Sequence, residues 1–340
     1  MRIRSISAMA LVAALTLAAC GGSTTPKPSG GSPAASGAAA TGPATSPGAS
    51  AKPGASAPAA SVPPAAVVSA GCMADKVATK KPGKLTVSTD NPAFPPWFGG
   101  TVPDGSDWAS YGGYPPSGEG FESAVAYAVA GALGFDDADV EWIGQANFGD
   151  AFKPGDKDFD FHVGQVSYRA KRAKAVDFSS GYYDVSQVIV ALSTNAIASV
   201  GDVAGLKGYT LGAPVGTTSL EAIDTVVKPD AAAKVFDDVD KGTKSLINGQ
   251  IDGLVVDLPT GFYLRDGVKD DGSPIVPEGT IVGQLPQTSG DQEYFGLVMQ
   301  KDSAFTKCAN EALAAIKADG TWQAIFDEWL ASPDSAPLLQ

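Results

Sequence analysis

The chain has 340 residues, with 24 Lys and Arg residues against 37 Asp and Glu residues, so its formal net charge is −13. This acidity argues against nucleic-acid binding and against electrostatic attachment to an anionic membrane, because both need clustered Lys and Arg. The single histidine, His162, excludes a polyhistidine metal site, and three cysteines are too few for a disulfide-framed scaffold. No run of about 18 apolar residues occurs, so no segment is a candidate for a bilayer-spanning helix.

The N-terminus has the features of an export signal. Arg2 and Arg4 form a short positive region, and residues 8–19 are an almost wholly apolar stretch that suits the apolar core of a signal peptide. Residues 17–20, Leu-Ala-Ala-Cys, resemble the lipobox of bacterial lipoproteins. The resemblance implies that residues 1–19 are removed and that Cys20 is acylated, with palmitate among the expected chains, so that the exported protein is anchored to the outer face of the membrane. An ordinary secretory signal is the alternative.

Residues 20–70 read as the lipidated cysteine and a tether that leads to a folded domain. Of residues 21–70, 45 are Gly, Ala, Ser, Thr or Pro. Such a segment buries too little apolar surface to offset the entropy of ordering, so it is predicted to be disordered. Low-complexity drift without a selected length is the alternative interpretation. Residues 1–70 hold four positive and no negative charges, which leaves 20 Lys and Arg against 37 Asp and Glu in the domain, a net charge of −17.

The rest of the chain alternates predicted strands and helices. Apolar, β-branched runs predict strands, and apolar residues at helical spacing predict helices. In chain order the predicted elements are a strand at 84–90, a helix at 121–133, strands at 140–143, 159–166, 186–192 and 209–213, a helix at 217–227, strands at 252–257 and 294–300, and helices at 304–318 and 321–330. This alternation predicts α/β units with parallel strands, and the length favours two lobes over one.

Several short motifs follow one another between residues 83 and 332. The first group comprises the strand and aromatic loop at 85–97, Gly120-Phe121-Glu122 at a helix start, and the segment from Asp160 through Ser167-Tyr168-Arg169-Ala170-Lys171-Arg172 to residues 176–179. The second group comprises 205–208, 216–218, the run 248–257 and 319–329. In composition and order these motifs resemble the bacterial extracellular solute-binding proteins of the amino-acid type, family 3.

The resemblance implies an α/β, two-lobed, periplasmic-binding-protein-like fold with two hinge crossings. Lobe 1 is expected at 72–184 plus 296–340, and lobe 2 at 185–295. The implied function is a monomeric, lipid-anchored substrate-binding protein that captures a small polar solute, most simply an amino acid, by cleft closure and delivers it to the permease of an ABC importer. No cofactor, metal ion or catalytic residue is expected.

The resemblance also assigns roles to four residues of the cleft. Arg172 corresponds to the arginine that binds the ligand carboxylate, a task that suits its planar guanidinium. Thr217 and Thr218 lie where a glycine turn meets a helix start, so their hydroxyl and N–H groups are placed to support the same carboxylate. Asp257 corresponds to the aspartate that pairs with the ligand ammonium. The alternatives are a surface ion pair for Arg172 and capping roles for the other three.

Six further candidates for ligand contact lie near two strand ends; they are Ser167, Gly164, Gln165, Phe94, Trp97 and Asp90. The first three match the hydrogen-bonding strand end of the family. Phe94 and Trp97 are candidates for an apolar wall or a stacking face, with packed loop anchors as the alternative. Asp90 ends a strand, so it either contacts the ligand or orients the loop that follows.

Three features depart from the family's pattern. Arg169 stands where a helix-capping threonine is usual, so it either faces solvent or adds positive charge near the cleft. Gln165 replaces a small residue, which would narrow the pocket or add a hydrogen-bonding amide. The Gly- and Pro-rich loop at 99–118 is long, and its aromatic residues either overhang the cleft or pack on the surface. These aromatic residues are Trp108, Tyr111 and Tyr114.

Cys72 and Cys308 remain after Cys20 is assigned to lipid. A pair of cysteines in an exported protein is expected to be oxidised. Their disulfide would join the N-terminal entry of the domain to a helix of lobe 1.

Two other functions suit the same fold. One is an extracytoplasmic enzyme, a dehydratase or cell-wall lyase, which would have to rely on carboxylates. His162 lies in an apolar strand, and no nucleophile elbow, Walker loop or zinc-ligand spacing occurs in the sequence. The other is a ligand-sensing module that reports to a membrane partner without transport.

Overall fold

The computed structural model describes residues 67–110, 112–269, 271–288, 292–330 and 336–340. The predicted signal peptide, Cys20 and the tether up to residue 66 lie outside these residues. Within the described part of the chain, no helix is long and apolar enough to cross a membrane. The described residues form two α/β lobes, each built around a five-stranded sheet.

The sheet of the first lobe combines strands from both ends of the folded chain. Its order is β2-β1-β3-β10-β4, with β1 parallel to β2 and β3, and β10 antiparallel to β3 and β4. The strands are β1 (Leu85–Asp90), β2 (Val140–Gln145), β3 (Phe161–His162), β4 (Val176–Val185) and β10 (Glu293–Gln300). Apolar and polar residues alternate along β1, a pattern that suits a strand with one exposed face. However, the polar residues Thr86 and Ser88 are also buried. The Ser88 hydroxyl lies 2.8 Å from Nδ1 of His162.

The sheet of the second lobe has the order β7-β6-β8-β5-β9. The strands are β5 (Gln187–Leu192), β6 (Leu211–Pro214), β7 (Lys234–Phe236), β8 (Gly253–Asp257) and β9 (Gly279–Gln284). β6 is parallel to β7 and β8, whereas β5 is antiparallel to β8 and β9. The central strands β5 and β8 are almost continuously apolar because helices or loops cover both faces of the sheet.

Six α-helices flank the sheets within the described residues: α1 (Phe121–Ala132), α2 (Thr218–Ala222), α3 (Val239–Ile247), α4 (Leu258–Asp266), α5 (Phe305–Ala318) and α6 (Thr321–Trp329). The first, fifth and sixth pack on the first sheet, and the other three pack on the second. Thr217, Asp238 and Asp257 cap α2, α3 and α4, each accepting a hydrogen bond from the backbone N–H three residues further on.

The chain crosses between the lobes twice. Ser186 alone separates β4 from β5, and a longer segment, part of which is described, leads from β9 at Gln284 to β10 at Glu293. Two crossings of this kind allow the lobes to rotate about a hinge. The predicted two-lobed fold with two crossings is confirmed.

Two predicted elements are shorter than the sequence indicated. The strand expected at 159–166 is limited to β3, because the chain turns at Gln165, which has a φ of 50°. The helix expected at 217–227 consists of α2 followed by a π-helical turn at Ile223–Val227.

Helix α4 is one of the elements that the sequence pattern did not predict, together with β7, α3 and β9. Pro259 and Gly261 lower its intrinsic helix propensity. Pro259 lies in the first turn, where its missing N–H costs nothing. Gly261 is needed for packing, since a Cβ atom at that position would lie 2.5 Å from Cγ2 of Val188 on β5. Tertiary packing therefore outweighs local propensity.

The C-terminal residues 336–340 pack against the second sheet, whereas the sequence analysis expected them in lobe 1. The backbone N–H of Gln284 donates to the carbonyl of Pro337 (2.7 Å), and that of Leu339 donates back to Gln284 (2.9 Å). Leu339 is buried in the apolar core of the second lobe, against Gly283. The boundary at 296 also differs, because β10 begins at Glu293 in the first sheet.

Cys72 and Cys308 form a disulfide with a Cα–Cα distance of 5.2 Å. Both residues are buried, and Cys308 lies on α5. The bond joins positions 236 residues apart in sequence, so it ties the entry of the folded domain to the first lobe's core. Closing so long a loop restricts the unfolded chain and thereby favours the folded state.

Candidate functional site

A cavity of about 430 Å³ lies between the two lobes. It is lined by the carboxyl ends of β1, β6 and β8, which is where open α/β sheets hold ligands. Nine of the ten predicted ligand-binding residues line it: Asp90, Phe94, Gly164, Gln165, Ser167, Arg172, Thr217, Thr218 and Asp257. The sequence motifs therefore come together at one place, although they are spread over both lobes.

Arg172 spans the cleft. Its Nη1 donates to the backbone carbonyl of Ser167 (2.7 Å) in the first lobe, and its Nη2 donates to the carbonyl of Gly216 (2.8 Å) in the second. The guanidinium also lies over the ring of Phe152, with 4.4 Å between the guanidinium carbon and the ring centroid. Burial lowers the pKa of Arg172 to about 10, so the side chain stays cationic at neutral pH. Among the described residues, no carboxylate accepts a hydrogen bond from Arg172, so the alternative of a surface ion pair is not formed there.

Asp257 has the capping role that the sequence analysis set against ligand binding, and it also lines the cavity. Its Oδ1 accepts from the backbone N–H of Thr260 (3.0 Å), and its Oδ2 accepts from the Thr260 hydroxyl (2.9 Å). Burial raises the pKa of Asp257 to about 6, although the hydrogen bonds from Thr260 favour the ionised form. The cap therefore fixes the direction of a carboxylate in the cavity wall.

Trp97 does not line the cavity, so its prediction as a ligand contact is wrong. Its side chain is 2% exposed and packs edge-on against Phe121, Tyr183 and Phe295 in the core of the first lobe. Its Nε1 donates to the Thr260 hydroxyl (3.0 Å), which in turn donates to Asp257. Trp97 therefore acts on the cavity indirectly, through Thr260 and through Phe295, which lines it. Phe94, on the same loop, does line the cavity.

The hydroxyl groups of Ser167 and Thr218 at the cleft floor form a network with three residues that were not predicted as site residues, Gln187, Ser219 and Glu293. Ser167 donates to Oε1 of Glu293 (2.5 Å) and lies 3.3 Å from the Thr218 hydroxyl. Gln187 donates from Nε2 to Thr218 (3.2 Å) and accepts from Ser219 (2.7 Å). The signal for Gln187 was its place as a polar residue at the start of an otherwise apolar strand.

The side chain of Thr217 forms hydrogen bonds with residues close to it in sequence. The Thr217 hydroxyl donates to the carbonyl of Pro214 (2.8 Å) and accepts from the backbone N–H of Leu220 (3.2 Å). It therefore has the capping role named as the alternative, and it still lines the cavity. Phe148 and Phe295 also line the cavity and were not predicted, because their loop and strand carry no motif for a ligand contact.

Asp90 ends β1 in the cavity wall. Its Oδ1 is buried and has no hydrogen-bond partner among the described residues. Burial, and secondarily the negative charge of Asp150, raises the pKa of Asp90 to about 7. A buried acceptor without a donor carries a free-energy cost that a bound donor would remove.

Gly164 and Gln165 form the turn that follows β3. Gln165 adopts the left-handed region, with a φ of 50°, and lines the cavity. A Cβ atom at position 164 would lie 2.7 Å from Nε2 of His162, so this turn leaves no room for a side chain there. Glu122, the buried residue on α1 that binds Gln165, was not predicted as a site residue from the sequence.

Arg169 is not among the residues that line the cavity, and its charge is paired. Its Nε donates to Glu221 on α2 (3.0 Å), and its Nη2 donates to Glu293 (3.1 Å) and to the hydroxyl of Thr288 (3.2 Å). The Arg169 side chain is 19% exposed and that of Glu221 is 44% exposed. Arg169 therefore links the lobes outside the cavity and does not add a free positive charge to it.

The long loop at 99–118 packs against the chain segment that follows β1. Backbone hydrogen bonds join Gly113 to Ala93 (2.6 Å) and Tyr114 to Gly99 (2.7 Å). Trp108 and Tyr114 are not among the cavity-lining residues, and Tyr111 lies outside the described residues.

His162 does not reach the cavity. The residue is fully buried, and burial lowers its pKa to about 3, so the imidazole is neutral. Over the described residues, no group of three or more His, Cys, Asp or Glu side chains could hold a metal ion.

Comparison with curated proteins finds relatives that are named as amino-acid-binding proteins. The ABC transporter arginine-binding protein 1 of Escherichia coli (strain K12) is 30% identical over 176 residues, which cover 50% of this chain and 66% of that protein. The ABC transporter glutamine-binding protein GlnH of Bacillus subtilis (strain 168) is 27% identical over 174 residues, covering 51% of this chain and 58% of that protein. The chain thus matches less than two thirds of the length of these relatives.

Comparison with solved structures extends the likeness to both lobes. An ancestral arginine-binding protein bound to glutamine has 26% sequence identity and a TM-score of 0.55, covering 73% of this chain and 98% of that chain. The family described as bacterial extracellular solute-binding proteins, family 3, matches residues 108–332. That match covers well over half of the chain, so the chain belongs to the bacterial extracellular solute-binding proteins, family 3.

Proposed function

We propose that this protein captures a free amino acid in the cleft between its lobes and presents it to an ABC importer. The observation that carries the proposal is the cavity itself, where a cationic guanidinium and two carboxylates from different strand ends line one space. The relatives named above, which are called arginine- and glutamine-binding proteins of ABC transporters, support the same class of ligand.

Arg172 binds the carboxylate of the ligand. A guanidinium has five N–H donors, and two of those of Arg172 are used by the carbonyls of Ser167 and Gly216. The remaining donors have no recorded partner among the described residues. Those carbonyls and the ring of Phe152 hold the guanidinium in place, so little side-chain entropy is lost when a carboxylate binds to it.

Asp257 and Asp90 bind the positively charged and hydrogen-bond-donating groups of the ligand. Asp257, held in direction by Thr260, pairs with the ammonium group. Asp90 then faces the side chain, and its buried, unpartnered Oδ1 favours a side chain that donates hydrogen bonds. Because no cation among the described residues pairs with Asp90, a basic amino acid such as arginine or lysine fits best, and an acidic side chain fits worst.

Cleft closure follows from where these groups lie. Arg172 belongs to the first lobe and Asp257 to the second, so a ligand that contacts both binds the closed state better than an open one and shifts the population towards it. The ion pair between Arg169 and Glu221 joins the same two lobes beside the cleft. It adds a ligand-independent contribution to closure, which is modest because Glu221 is partly exposed.

The N-terminal segment supplies the anchor in this proposal. Cys20 is acylated, residues 1–19 are cleaved, and residues 20–70 tether the domain to the outer face of the membrane. The support is the lipobox-like sequence at 17–20 after an apolar stretch. Metabolic labelling with palmitate is expected to mark the wild-type protein and not a Cys20→Ala variant. Equal labelling of both proteins would contradict the anchor.

The test of the proposed function is calorimetric titration of the purified domain with L-arginine, L-lysine, L-glutamine, L-glutamate and L-leucine. We expect saturable one-to-one binding of at least one basic amino acid and the weakest binding for L-glutamate. Absence of binding across the full set of amino acids would overturn the proposal. The recovered ligand is then analysed by mass spectrometry, because conversion to a product would favour the enzyme alternative over a transport receptor.

A further inference from the structure

Glu122 is a buried carboxylate directly behind the wall of the cleft. It lies in the first turn of α1 and is fully buried, although it carries a titratable group. An acidic residue in the first turn of a helix is favoured by the helix dipole, and this alone would account for a partly exposed Glu at that position. Complete burial has a large cost, so the contacts of the carboxylate need a further explanation.

Three donors converge on the two oxygens of Glu122. Oε1 accepts from the backbone N–H of Gln165 (2.8 Å) and from the hydroxyl of Tyr182 on β4. Oε2 accepts from the side-chain Nε2 of Gln165. Gln165 therefore donates two hydrogen bonds to one carboxylate, one from its main-chain N–H and one from its carboxamide.

The double contact determines which end of the Gln165 carboxamide is free. Gln165 lines the cavity, and its Nε2 is used by Glu122. Its Oε1 has no recorded hydrogen-bond partner among the described residues. The backbone of Gln165 is in the left-handed region, an uncommon conformation for a residue with a side chain, and the contact from Glu122 to its N–H helps to hold it there.

We infer that Glu122 is a positioning residue for ligand selection: it orients the Gln165 carboxamide so that an acceptor oxygen, and not the NH₂ group, is presented to the cavity. The inference rests on the proposed function, because the cavity is taken as the ligand site. It adds that the site selects ligands with a hydrogen-bond donor facing Gln165 and disfavours those with an acceptor there.

The orientation of Gln165 is coupled to the protonation of Glu122. The ionised carboxylate only accepts hydrogen bonds, so it holds the NH₂ group of Gln165. A protonated Glu122 donates, and Gln165 then satisfies it by turning Oε1 inward and NH₂ towards the cavity. Burial raises the pKa of Glu122 to about 8, and among the groups around it Asp257 raises the pKa further while the hydrogen bonds from Tyr182 and Gln165 lower it. Below about pH 8 the protonated form and the NH₂-outward orientation therefore gain population, and the acceptor-outward orientation belongs to the ionised state at higher pH.

The first test follows Gln165 without any ligand. The side-chain NH₂ protons of Gln165, assigned by their loss in a Gln165→Gly variant, are measured by NMR for exchange with solvent. At alkaline pH we expect slow exchange in the wild-type protein, because the protons are bound to Glu122. In Glu122→Gln, a substitution of equal size, the new amide donates towards Gln165, so the NH₂ group turns to the cavity and its exchange accelerates at least tenfold. Unchanged exchange would overturn the inference, whether or not the protein binds amino acids.

The second test measures ligand selection with L-arginine, L-lysine, L-glutamine and L-glutamate as probes. We expect Glu122→Gln to change the ratio of affinities between donor-bearing and acceptor-bearing side chains by about tenfold. In the Gln165→Gly background the same substitution should leave the ratio unchanged, and glycine readily adopts the backbone conformation of that turn. The two proteins are compared at the same alkaline pH, where Glu122 is ionised, because Asp90 and Asp257 titrate in both of them and the charge of Asp257 is coupled to that of Glu122.

A purely structural role for Glu122 gives a different result. Glu122→Gln would then alter thermal stability while the affinity ratio stays the same, or it would alter affinity equally in both backgrounds at position 165. Either outcome would contradict the positioning role. If no probe binds to any variant, the proposed function fails, and the exchange measurement still decides how Gln165 is oriented.

Discussion

Replacing Arg172 with alanine is expected to weaken amino-acid binding by about 30- to 3,000-fold, the range for removing one partner of a buried, hydrogen-bonded charge pair. The ligand carboxylate would lose a cation that no acidic side chain engages among the described residues. Lys241, which also lines the cavity, is paired with Asp237 and Asp238, and Arg169 is engaged by Glu221 and Glu293. Arg172→Lys keeps the charge but not the planar fork, so we expect an intermediate loss. Affinities are measured by calorimetry under identical salt.

Arg172 also bridges the lobes, so its effect on the ligand must be separated from its effect on closure. Agmatine, which is arginine without its carboxylate, provides this control. We expect Arg172→Ala to reduce the affinity for L-arginine strongly and that for agmatine far less, because agmatine has no group for the guanidinium to bind. An equal loss for both ligands would show that Arg172 acts through the lobes. Near-wild-type affinity for L-arginine would contradict its assignment to the carboxylate.

Replacing Asp90 with asparagine is expected to remove the part of the pH dependence of basic-ligand binding around neutrality that Asp90 contributes. Burial raises the pKa of Asp90 to about 7. A cationic side chain binds the ionised form, so wild-type affinity should rise with pH up to about 7 and fall by up to tenfold per pH unit below it. In Asp90→Asn this dependence should flatten, and the affinity at about pH 8 should fall about tenfold to 100-fold.

The same substitution, which is expected to weaken ligand binding at alkaline pH, is expected to stabilise the ligand-free protein there. The pKa of Asp90 is raised above its ordinary value of 3.8, so its contribution to stability is complete below that value and is lost as the pH rises through about 7. Asp90→Asn removes a buried, unpaired charge and should therefore raise the melting temperature at about pH 8 but not at about pH 4. Asp136→Asn, at an exposed position outside the cavity, is the matched control. Lower stability of Asp90→Asn at the higher pH would contradict this account.

The contacts of Trp97 and Arg169 could not be predicted from the sequence. An aromatic residue beside two prolines is compatible both with a cavity wall and with a core anchor, and only the packing against Phe121, Tyr183 and Phe295 decides between them. Arg169 lies three residues from Arg172, yet it contacts Glu221 and Glu293, which lie 52 and 124 residues further along the chain. Such partners cannot be read from neighbouring residues.

Asp257 shows that two interpretations of one residue need not exclude each other. The sequence placed an acidic residue between a strand and Pro259, which fits a helix cap, and the structure confirms the cap. The same geometry directs the carboxylate into the cavity wall. The bond from Trp97 to Thr260 connects this cap to the other lobe, a relation that no local pattern contains.

The sequence by itself determined the two-lobed α/β fold, the family, and nine residues of the cavity wall, because hydrophobic periodicity and short motifs act over a few neighbouring residues. It also located the charge of −17 in the domain. Only the tertiary structure decided which of these charges face the cavity. It also decided that Oδ1 of Asp90 has no hydrogen-bond partner among the described residues, and that Glu122 binds Gln165 through both its main chain and its side chain. The physical reason is that burial and hydrogen-bond partners depend on contacts between residues far apart in the chain.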